Sequence, residues 1–229
     1  MAGGAGPALA WSGGKDSALA LWALRQAGAE PAALMTTVTD DYGRVSMHPV
    51  RRDLLRRQAA ATGLPLVEVG IPAGCTNDVY EARMAGAFAS AELAPVEEVA
   101  FGDLFLEDIR AYRESRLAAA GRRARFPLWG IDTAALALRF LAAGFRAVVV
   151  CVDPRALDPS FAGREYDDAM LADLPAGVDP CGENGEFHTF VTAGPIFAAP
   201  ISYRRGEVVE RDGFVFADLL DAELIDPTA

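Results

Sequence analysis

The chain is poor in cysteine and in positive charge. It has three cysteines among 229 residues, Cys75, Cys151 and Cys181, and no two of them form a CxxC pair. An odd number of widely spaced cysteines argues against a disulfide scaffold and favours a reducing compartment. Lysine and arginine number 21 against 32 acidic residues, so the formal net charge is −11. This balance disfavours broad contact with nucleic-acid phosphates, because that contact depends on clustered basic side chains.

Long hydrophobic runs are also missing. No apolar stretch approaches the ~20 residues that a membrane-spanning helix requires. Residues 1–6 lack the basic segment and the apolar core of a secretion signal. We therefore expect a cytoplasmic protein without a membrane partner. A length of 229 residues, of which 52% are hydrophobic, accommodates one full α/β domain and a smaller second domain.

Short apolar runs alternate with helical patterns in the first half of the chain, which is typical of a parallel sheet built from β-α-β units. The predicted strands are 8–11, 32–38, 66–69 and 98–101, and the predicted helices are 17–26, 50–62, 77–91 and 107–120. Gly63 and Pro65 are expected to end the second helix. We interpret its arginines as a solvated face rather than a nucleic-acid patch; they are Arg51, Arg52, Arg56 and Arg57.

The pattern changes near residue 128. A helix over 132–143 precedes a β-branched run at 147–152, and a turn-rich stretch follows from 153 to 186. The tail predicts an antiparallel meander with a hairpin turn at Asp212-Gly213. We therefore predict two domains, at 1–128 and 129–229.

The most informative stretch is Ser12-Gly13-Gly14-Lys15-Asp16-Ser17. It follows a predicted strand and opens a predicted helix, so free backbone N–H groups and the positive helix end are expected to converge on one point. The glycines allow close approach of an anion, Lys15 adds positive charge and the serines offer hydroxyl donors. A Walker loop would require glycine at Leu9 and serine or threonine at Asp16. The stretch therefore predicts a phosphate-binding loop of another kind.

Gly102 and Asp103 follow the fourth predicted strand. In open α/β sheets, ligands bind beyond the carboxyl ends of the strands. The phosphate-binding loop leaves the first strand at that same edge, so Asp103 is expected to face it. Asp103 is either a Mg²⁺ ligand or the cap of the following helix.

The run from Cys181 to Phe190, CGENGEFHTF, combines two glycines, two carboxylates, an amide and an imidazole. Glu183 and Glu186 are candidates for binding an amine, taking up its proton or holding a metal. His188 is a candidate base or a partner of a substrate carboxylate. The alternative is a polar loop with a hairpin corner, and an isolated histidine such as His48 is usually structural.

Together the two strings resemble the diphthine–ammonia ligase family. The SGGKDS string alone is similar to the pyrophosphate-binding loop of the PP-loop ATP pyrophosphatase superfamily. Its pairing with a GE-x-GE-aromatic string near residue 185 is what resembles this family. Gly102-Asp103 and Pro127-Leu128-Trp129 fall where members carry similar residues. The chain departs from members that amidate diphthine at His188, where they typically carry glutamate.

The resemblance implies a HUP-type (adenine nucleotide alpha hydrolase-like) α/β domain with a parallel sheet at 1–128, and a smaller α+β substrate-binding domain at 129–229. It implies an enzyme that uses ATP and Mg²⁺ to adenylate a carboxylate, borne by a small molecule or a protein, and then transfers ammonia. The residues it assigns to the nucleotide are Ser12, Gly13, Gly14, Lys15, Asp16, Ser17, Thr36, Gly102 and Asp103, the last also to the metal. The residues it assigns to catalysis are Lys15, Asp16, Glu183, Glu186 and His188.

Two other functions stay open at the level of sequence. One is a PP-loop tRNA-modifying enzyme, either a thiolating enzyme or a lysidine-type synthetase. Thiolation commonly needs a paired or persulfide-carrying cysteine, which Cys151 and Cys181 supply only if the fold brings them together. A non-catalytic regulator would bind ATP without turnover. The sequence leaves the oligomeric state open, although a homodimer is common for enzymes of this size.

Overall fold

The fold was obtained as a computed structural model, which describes residues 5–39, 44–45 and 50–222. The interpretation of His48 as structural lies outside the described residues. The strands are β1 (Ala8–Ala10), β2 (Ala33–Thr39), β3 (Arg44–Val45), β4 (Leu66–Ile71), β5 (Glu98–Ala100), β6 (Arg123–Arg125), β7 (Arg146–Val152), β8 (Phe187–Ala193), β9 (Tyr203–Arg211) and β10 (Phe214–Asp221). The helices are α1 (Lys15–Gln26), α2 (Arg52–Thr62), α3 (Asn77–Phe88), α4 (Glu107–Ala119), α5 (Thr133–Ala142) and α6 (Asp168–Ala172).

The first sheet is parallel in the order β4-β2-β1-β5-β6, and β3 adds a short antiparallel pairing at the end of β2. This confirms the predicted α/β class. Predicted and observed ends differ by at most three residues, the largest difference being at the end of α3. Strand β6 was missed, because Arg-Ala-Arg has a single small apolar residue and is too short to show a strand pattern.

Side chains of the first sheet alternate between two hydrophobic cores, as the two-residue period of a strand requires. Leu9 and Leu34 point into the core that contains α1 and α2. Ala8 and Met35 point into the core closed by α3 and α4. The sheet is therefore covered by helices on both faces, which explains its continuous apolar strands.

Helix α1 lies between the two sheets. It is buried on nearly every side and contacts β8 of the second sheet, while α2 contacts β10. Its first residue is Lys15, two positions before the predicted start. A helix that packs on both sides needs apolar residues all round, which its Ala- and Leu-rich sequence supplies.

The second sheet is antiparallel in the order β8-β7-β10-β9. The hairpin turn is confirmed, because Asp212 and Gly213 join β9 to β10 with φ of 53° and 79°. The meander is wrong in one respect, since β8 pairs with β7 and not with β9. The apolar run in β7 is buried from Ala147 to Val152, and a strand so buried takes a central place.

The arginines of α2 form ion pairs with acidic side chains from both sheets. Arg52 and Arg56 pair with Glu68 of β4. Arg51 pairs with Asp218 of β10 at 2.6 Å, and Arg57 pairs with Asp221. The interpretation as a solvated face was therefore incomplete. The helix ends at Gly63, whose φ of 78° confirms the predicted glycine stop.

None of the helices in the described part of the chain is long and apolar enough to cross a membrane. The change from the first sheet to the second falls between β6 and β7. The boundary between residues 128 and 129 stays a prediction.

Candidate functional site

A pocket of about 700 Å³ opens at the carboxyl ends of β1, β2 and β5. It brings together residues from both predicted strings and from the intervening strands. The predicted site residues that line it are Ser12, Gly14, Lys15, Asp16, Ser17, Thr36, Gly102, Asp103, Glu183 and His188. Gly13 and Glu186 are not among the lining residues.

The loop before α1 takes its shape from glycine and serine. Gly13 has a φ of 78°, and a Cβ atom there would lie 2.7 Å from Gln58 Oε1. The N–H of Gly14 donates to Ser12 Oγ at 3.2 Å, and Ser17 Oγ donates to the Gly14 carbonyl at 2.9 Å. The two serines thus stabilise the loop itself.

Fewer backbone N–H groups are available than the loop sequence suggests. The N–H of Lys15 donates to Thr189 Oγ1 at 3.1 Å, so with that of Gly14 it is already bonded within the protein. The N–H groups of Asp16 and Ser17 belong to the first helical turn, where no intrahelical acceptor exists. These two are the loop donors best suited to an anion in the pocket.

Gly102 allows β5 to approach the start of α1 closely. A Cβ atom on Gly102 would lie 2.8 Å from the carbonyl carbon of Asp16 and 3.0 Å from the nitrogen of Ser17. Any larger residue would displace the first turn of the helix. The geometry of the loop therefore requires glycine at position 102.

Lys15, which is buried, forms an ion pair with the half-buried Asp16 in the lining of the pocket. Lys15 Nζ lies 2.7 and 2.8 Å from the carboxylate oxygens of Asp16, and Lys15 is 2% exposed. Burial alone would lower the pKa of Lys15, but neighbouring acidic groups, Asp16 above all, outweigh it and raise the pKa. Burial also raises the pKa of Asp16, which Lys15 opposes. Lys15 is the only lysine in the chain, a compositional signal that sequence reasoning missed.

Asp103 faces the same pocket and pairs with an arginine of α4. Its carboxylate lies 2.7 Å from Arg113 Nε. Helix α4 begins after Leu106, so the interpretation of Asp103 as the cap of that helix is wrong. Within residues 5–39, 44–45 and 50–222, no group of three or more His, Cys, Asp or Glu side chains is arranged to hold a metal ion.

Glu183 reaches across from the second domain to the end of β5. Its Oε1 accepts the N–H of Leu104 at 2.8 Å. Burial raises the pKa of Glu183 to about 7; the Leu104 N–H opposes this shift and Asp16 adds to it. A carboxyl group with this pKa takes up or releases a proton near neutral pH.

Glu186 has a different position, although it lies three residues further along. It is buried, and its carboxylate accepts the N–H groups of Asp179 and Asn184 and the side-chain amide of Asn184. These bonds close the loop that presents Glu183. The geometry of Glu186 therefore matches the alternative interpretation, that of a residue within a polar loop. Its carboxylate is hydrogen-bonded inside the loop, and Glu186 does not line the pocket.

His188 is half-buried in β8 and lines the pocket. Burial, reinforced by the charge of Lys15, lowers the pKa of His188 to about 4. The imidazole is therefore neutral at pH 7 and a weak base. This environment favours hydrogen bonding over proton transfer at His188.

Two polar atoms in the pocket wall have no partner among the described residues. They are Thr36 Oγ1 and Trp11 Nε1, both of which are buried. Buried polar groups are nearly always hydrogen-bonded in complete assemblies. Their position in the lining fits a ligand that carries its own polar atoms. Trp11 was missed because an aromatic residue at a strand end is typical of a hydrophobic core.

The far end of the pocket is apolar and was not anticipated from the sequence. It is lined by residues of α3 and α4, and two arginines of α4 also line the pocket, Arg113 and Arg116, of which Arg116 pairs with Glu81. The apolar and aromatic residues that line this end are Met35, Tyr80, Met84, Phe88, Phe101, Tyr112 and Leu117. The spacing of Tyr80, Met84 and Phe88 at every fourth residue is a detectable signal, although it is shared with ordinary core helices.

The cysteines are free thiols, and only Cys181 among them lines the pocket. Burial raises the pKa of both Cys151 and Cys181 to about 12. Such thiols are protonated at neutral pH and are poor nucleophiles. This chemistry does not suit a thiolation reaction.

Comparison with protein families produced two adjoining matches. A model described as the diphthamide synthase N-terminal domain matches residues 6–123, and one described as the diphthamide synthase C-terminal domain matches 132–217. The chain belongs to the diphthamide synthase family. The resemblance to diphthine–ammonia ligases is thereby confirmed at the level of the family. Each predicted string lies within one of the matched ranges, and a search among curated proteins found no match.

Proposed function

We propose that the protein is an AMP-forming ligase of the diphthine–ammonia ligase type, which activates a carboxylate with ATP and amidates it with ammonia. The observation that carries the proposal is the convergence of the SGGKDS loop and Glu183 on one pocket, joined by the bond from the Leu104 N–H to Glu183. Family membership supports the enzyme class.

The loop supplies charge stabilisation in this proposal. The substrate carboxylate attacks the α-phosphorus of ATP, and pyrophosphate leaves as the acyl adenylate forms. Lys15 exchanges its pairing with Asp16 for the departing pyrophosphate, whose charge the N–H groups of Asp16 and Ser17 also stabilise. The unpartnered Thr36 Oγ1 and Trp11 Nε1 are suited to polar atoms of the nucleotide.

Glu183 manages the proton that amidation releases. Neutral ammonia adds to the acyl carbon and AMP leaves as its dianion, which releases one proton for each amide formed. A carboxylate of pKa about 7 accepts that proton at neutral pH. His188, being neutral, orients the acceptor by hydrogen bonding. Because members that amidate diphthine typically have glutamate at this position, we extend the proposal to the reaction and to a carboxylate acceptor, not to diphthine itself.

Mg²⁺ fits the site only in company with the nucleotide. The carboxylates of Asp16 and Asp103 face the pocket, and each is paired with a basic side chain. Mg²⁺ commonly takes one or two carboxylates together with phosphate oxygens, and it neutralises phosphate charge when bound. We therefore expect Asp103→Asn to weaken the dependence of ATP affinity on Mg²⁺; an identical Mg²⁺ titration for wild type and variant would remove Asp103 from this role.

The test is product analysis of labelled ATP with Mg²⁺, ammonium and a whole or desalted cell extract. We expect AMP and pyrophosphate with wild type and whole extract, and a loss of about 100-fold or more with Lys15→Met. Arg211→Ala, on the exposed end of β9, is the control variant. ADP as product would exclude the proposal. ATP binding without AMP from any fraction would instead indicate a non-catalytic regulator.

The single lysine allows an independent check of nucleotide binding. An acyl-phosphate derivative of ATP transfers its label to a lysine beside the phosphates. Peptide mapping should find the label at Lys15, and excess ATP should suppress it. A label confined to the chain's α-amino group would contradict binding at this loop.

A further inference from the structure

The loop before α1 is held by residues from distant parts of the chain. The N–H of Val191 in β8 donates to the Gly13 carbonyl at 2.9 Å. The Gln58 amide in α2 donates to that same carbonyl at 2.9 Å and to the Val191 carbonyl at 2.6 Å. Thr189 Oγ1 in β8 accepts the N–H of Lys15. The second sheet and α2 thus both support the loop, and Thr189 also lines the pocket.

The two side chains that hold the loop, Thr189 and Gln58, are buried, and both come from segments far from the loop in sequence. Thr189 lies 174 residues from Lys15, and the Gln58 side chain is fully buried. Water cannot replace a lost partner easily at such a place, so a missing acceptor leaves a buried N–H unsatisfied. The backbone of Lys15 would then have to move to find another partner.

We propose that Thr189 and Gln58 are positioning residues for the phosphate-binding loop, so that the second sheet is part of the machinery that binds the departing pyrophosphate. This inference rests on the proposed function. Gln58 is not among the residues that line the pocket, whereas Thr189 is, so exchange measured without ligand separates the positioning role of Thr189 from a direct contact. The effect of both residues is to hold Lys15 and the first turn of α1 in the binding arrangement before the ligand arrives, which reduces the ordering cost of binding.

Thr189→Val tests the inference, because valine keeps the shape of threonine and removes the acceptor. Thr189→Ser restores the hydroxyl. Thr192→Val is the matched control on the same strand, since Thr192 is also buried but donates to the Arg146 carbonyl within the second sheet. Gln58→Met supplies a second variant that acts through Gly13.

The first readout is hydrogen exchange of residues 12–17 in the protein without ligand. Thr189→Val and Gln58→Met should accelerate exchange of this segment, and Thr189→Ser and Thr192→Val should leave it as in wild type. Unchanged exchange in Thr189→Val would overturn the inference even if the enzyme were active.

The second readout is affinity for inorganic pyrophosphate with Mg²⁺, measured by calorimetry. We expect Thr189→Val to weaken binding about tenfold, from the usual cost of one unsatisfied buried group, and Thr189→Ser to recover most of it. Equal weakening by Thr192→Val would show a general loss of stability and overturn the inference. If wild type bound neither pyrophosphate nor ATP, the proposed function would fail, whereas the exchange measurement would still decide whether the loop is held as inferred.

Discussion

The two polar loops that meet at the pocket are built in opposite ways. The loop at 12–17 is supported by other elements, β8 and α2, and presents backbone N–H groups with the ion pair of Lys15 and Asp16. The loop at 179–186 is supported from within, by the carboxylates of Asp179 and Glu186, and presents the carboxyl group of Glu183. A site for phosphate needs fixed backbone donors, whereas a site for proton transfer needs one projecting titratable group. The difference in support matches this difference in task.

The largest expected effect separates the two glutamates of the second loop. Glu183→Gln should lower the rate of AMP formation at pH 7 by about 100-fold or more, because the proton acceptor is lost. It should also remove a rise in rate centred near pH 7. Glu186→Gln should retain this pH profile and instead lower the free energy of unfolding by about 1–3 kcal/mol, since it weakens the bonds inside the loop. Rate–pH profiles and urea denaturation of both variants measure the difference. If Glu186→Gln lost the rate and Glu183→Gln lost only stability, the roles of the two glutamates would be reversed.

The pKa of Glu183 has a consequence for stability as well. Burial raises that pKa from 4.5 to about 7 in the folded protein, so the folded state binds this proton more tightly than the unfolded chain. The resulting stabilisation is complete below pH 4.5 and is lost as the pH rises through 7. Denaturation of Glu183→Gln between pH 4.5 and 8 should lack this component. If the free energy of unfolding of wild type, relative to that of Glu183→Gln, increased as the pH rises, the direction of the pKa shift would be contradicted.

A smaller effect distinguishes the glycines of the two loops. Gly13→Ala should lower the free energy of unfolding by about 2–4 kcal/mol, because it combines a positive φ with contacts to Gln58 and Leu55 below 3 Å. Gly185 has a φ of 89° with open space around its Cα, so Gly185→Ala should cost about 1–2 kcal/mol. Urea denaturation compares the two. Equal costs would mean that the close packing behind the first loop contributes nothing.

The smallest effect concerns the surface ion pair between Arg51 and Asp218. This pair joins α2 to the second sheet, but the arginine side chain is 45% exposed. A double-mutant cycle with Arg51→Met and Asp218→Asn should give a coupling of about 1 kcal/mol or less that declines with salt. The rate of AMP formation should not change. A lower rate of AMP formation in either variant would mean that this surface ion pair, and not the buried hydrogen bonds of Thr189 and Gln58, holds the loop.

Features set by local rules were predictable from the sequence. The alternation of apolar runs and helical patterns predicted the parallel sheet, and a glycine turn between strand and helix predicted the loop at 12–17. The carboxyl-end rule for open sheets correctly brought Asp103, with Gly102 before it, to the same edge as this loop, and Thr36 lines the same pocket. Strand β6 escaped prediction because its arginines mask its apolar position.

Only the tertiary structure decided which polar groups form hydrogen bonds within the protein and which face the pocket. By sequence alone, Glu183 and Glu186 are equivalent, and every N–H of the loop is a candidate donor. In the fold, the Glu186 carboxylate forms hydrogen bonds within its own loop, and the N–H of Lys15 donates to Thr189. Burial raises the pKa of Glu183 and lowers the pKa of His188 from the values that these side chains have in water. Period and turn chemistry act between neighbouring residues and can be read along the chain. Desolvation and long-range pairing depend on which distant segments meet, and that is determined only when the two sheets pack around α1.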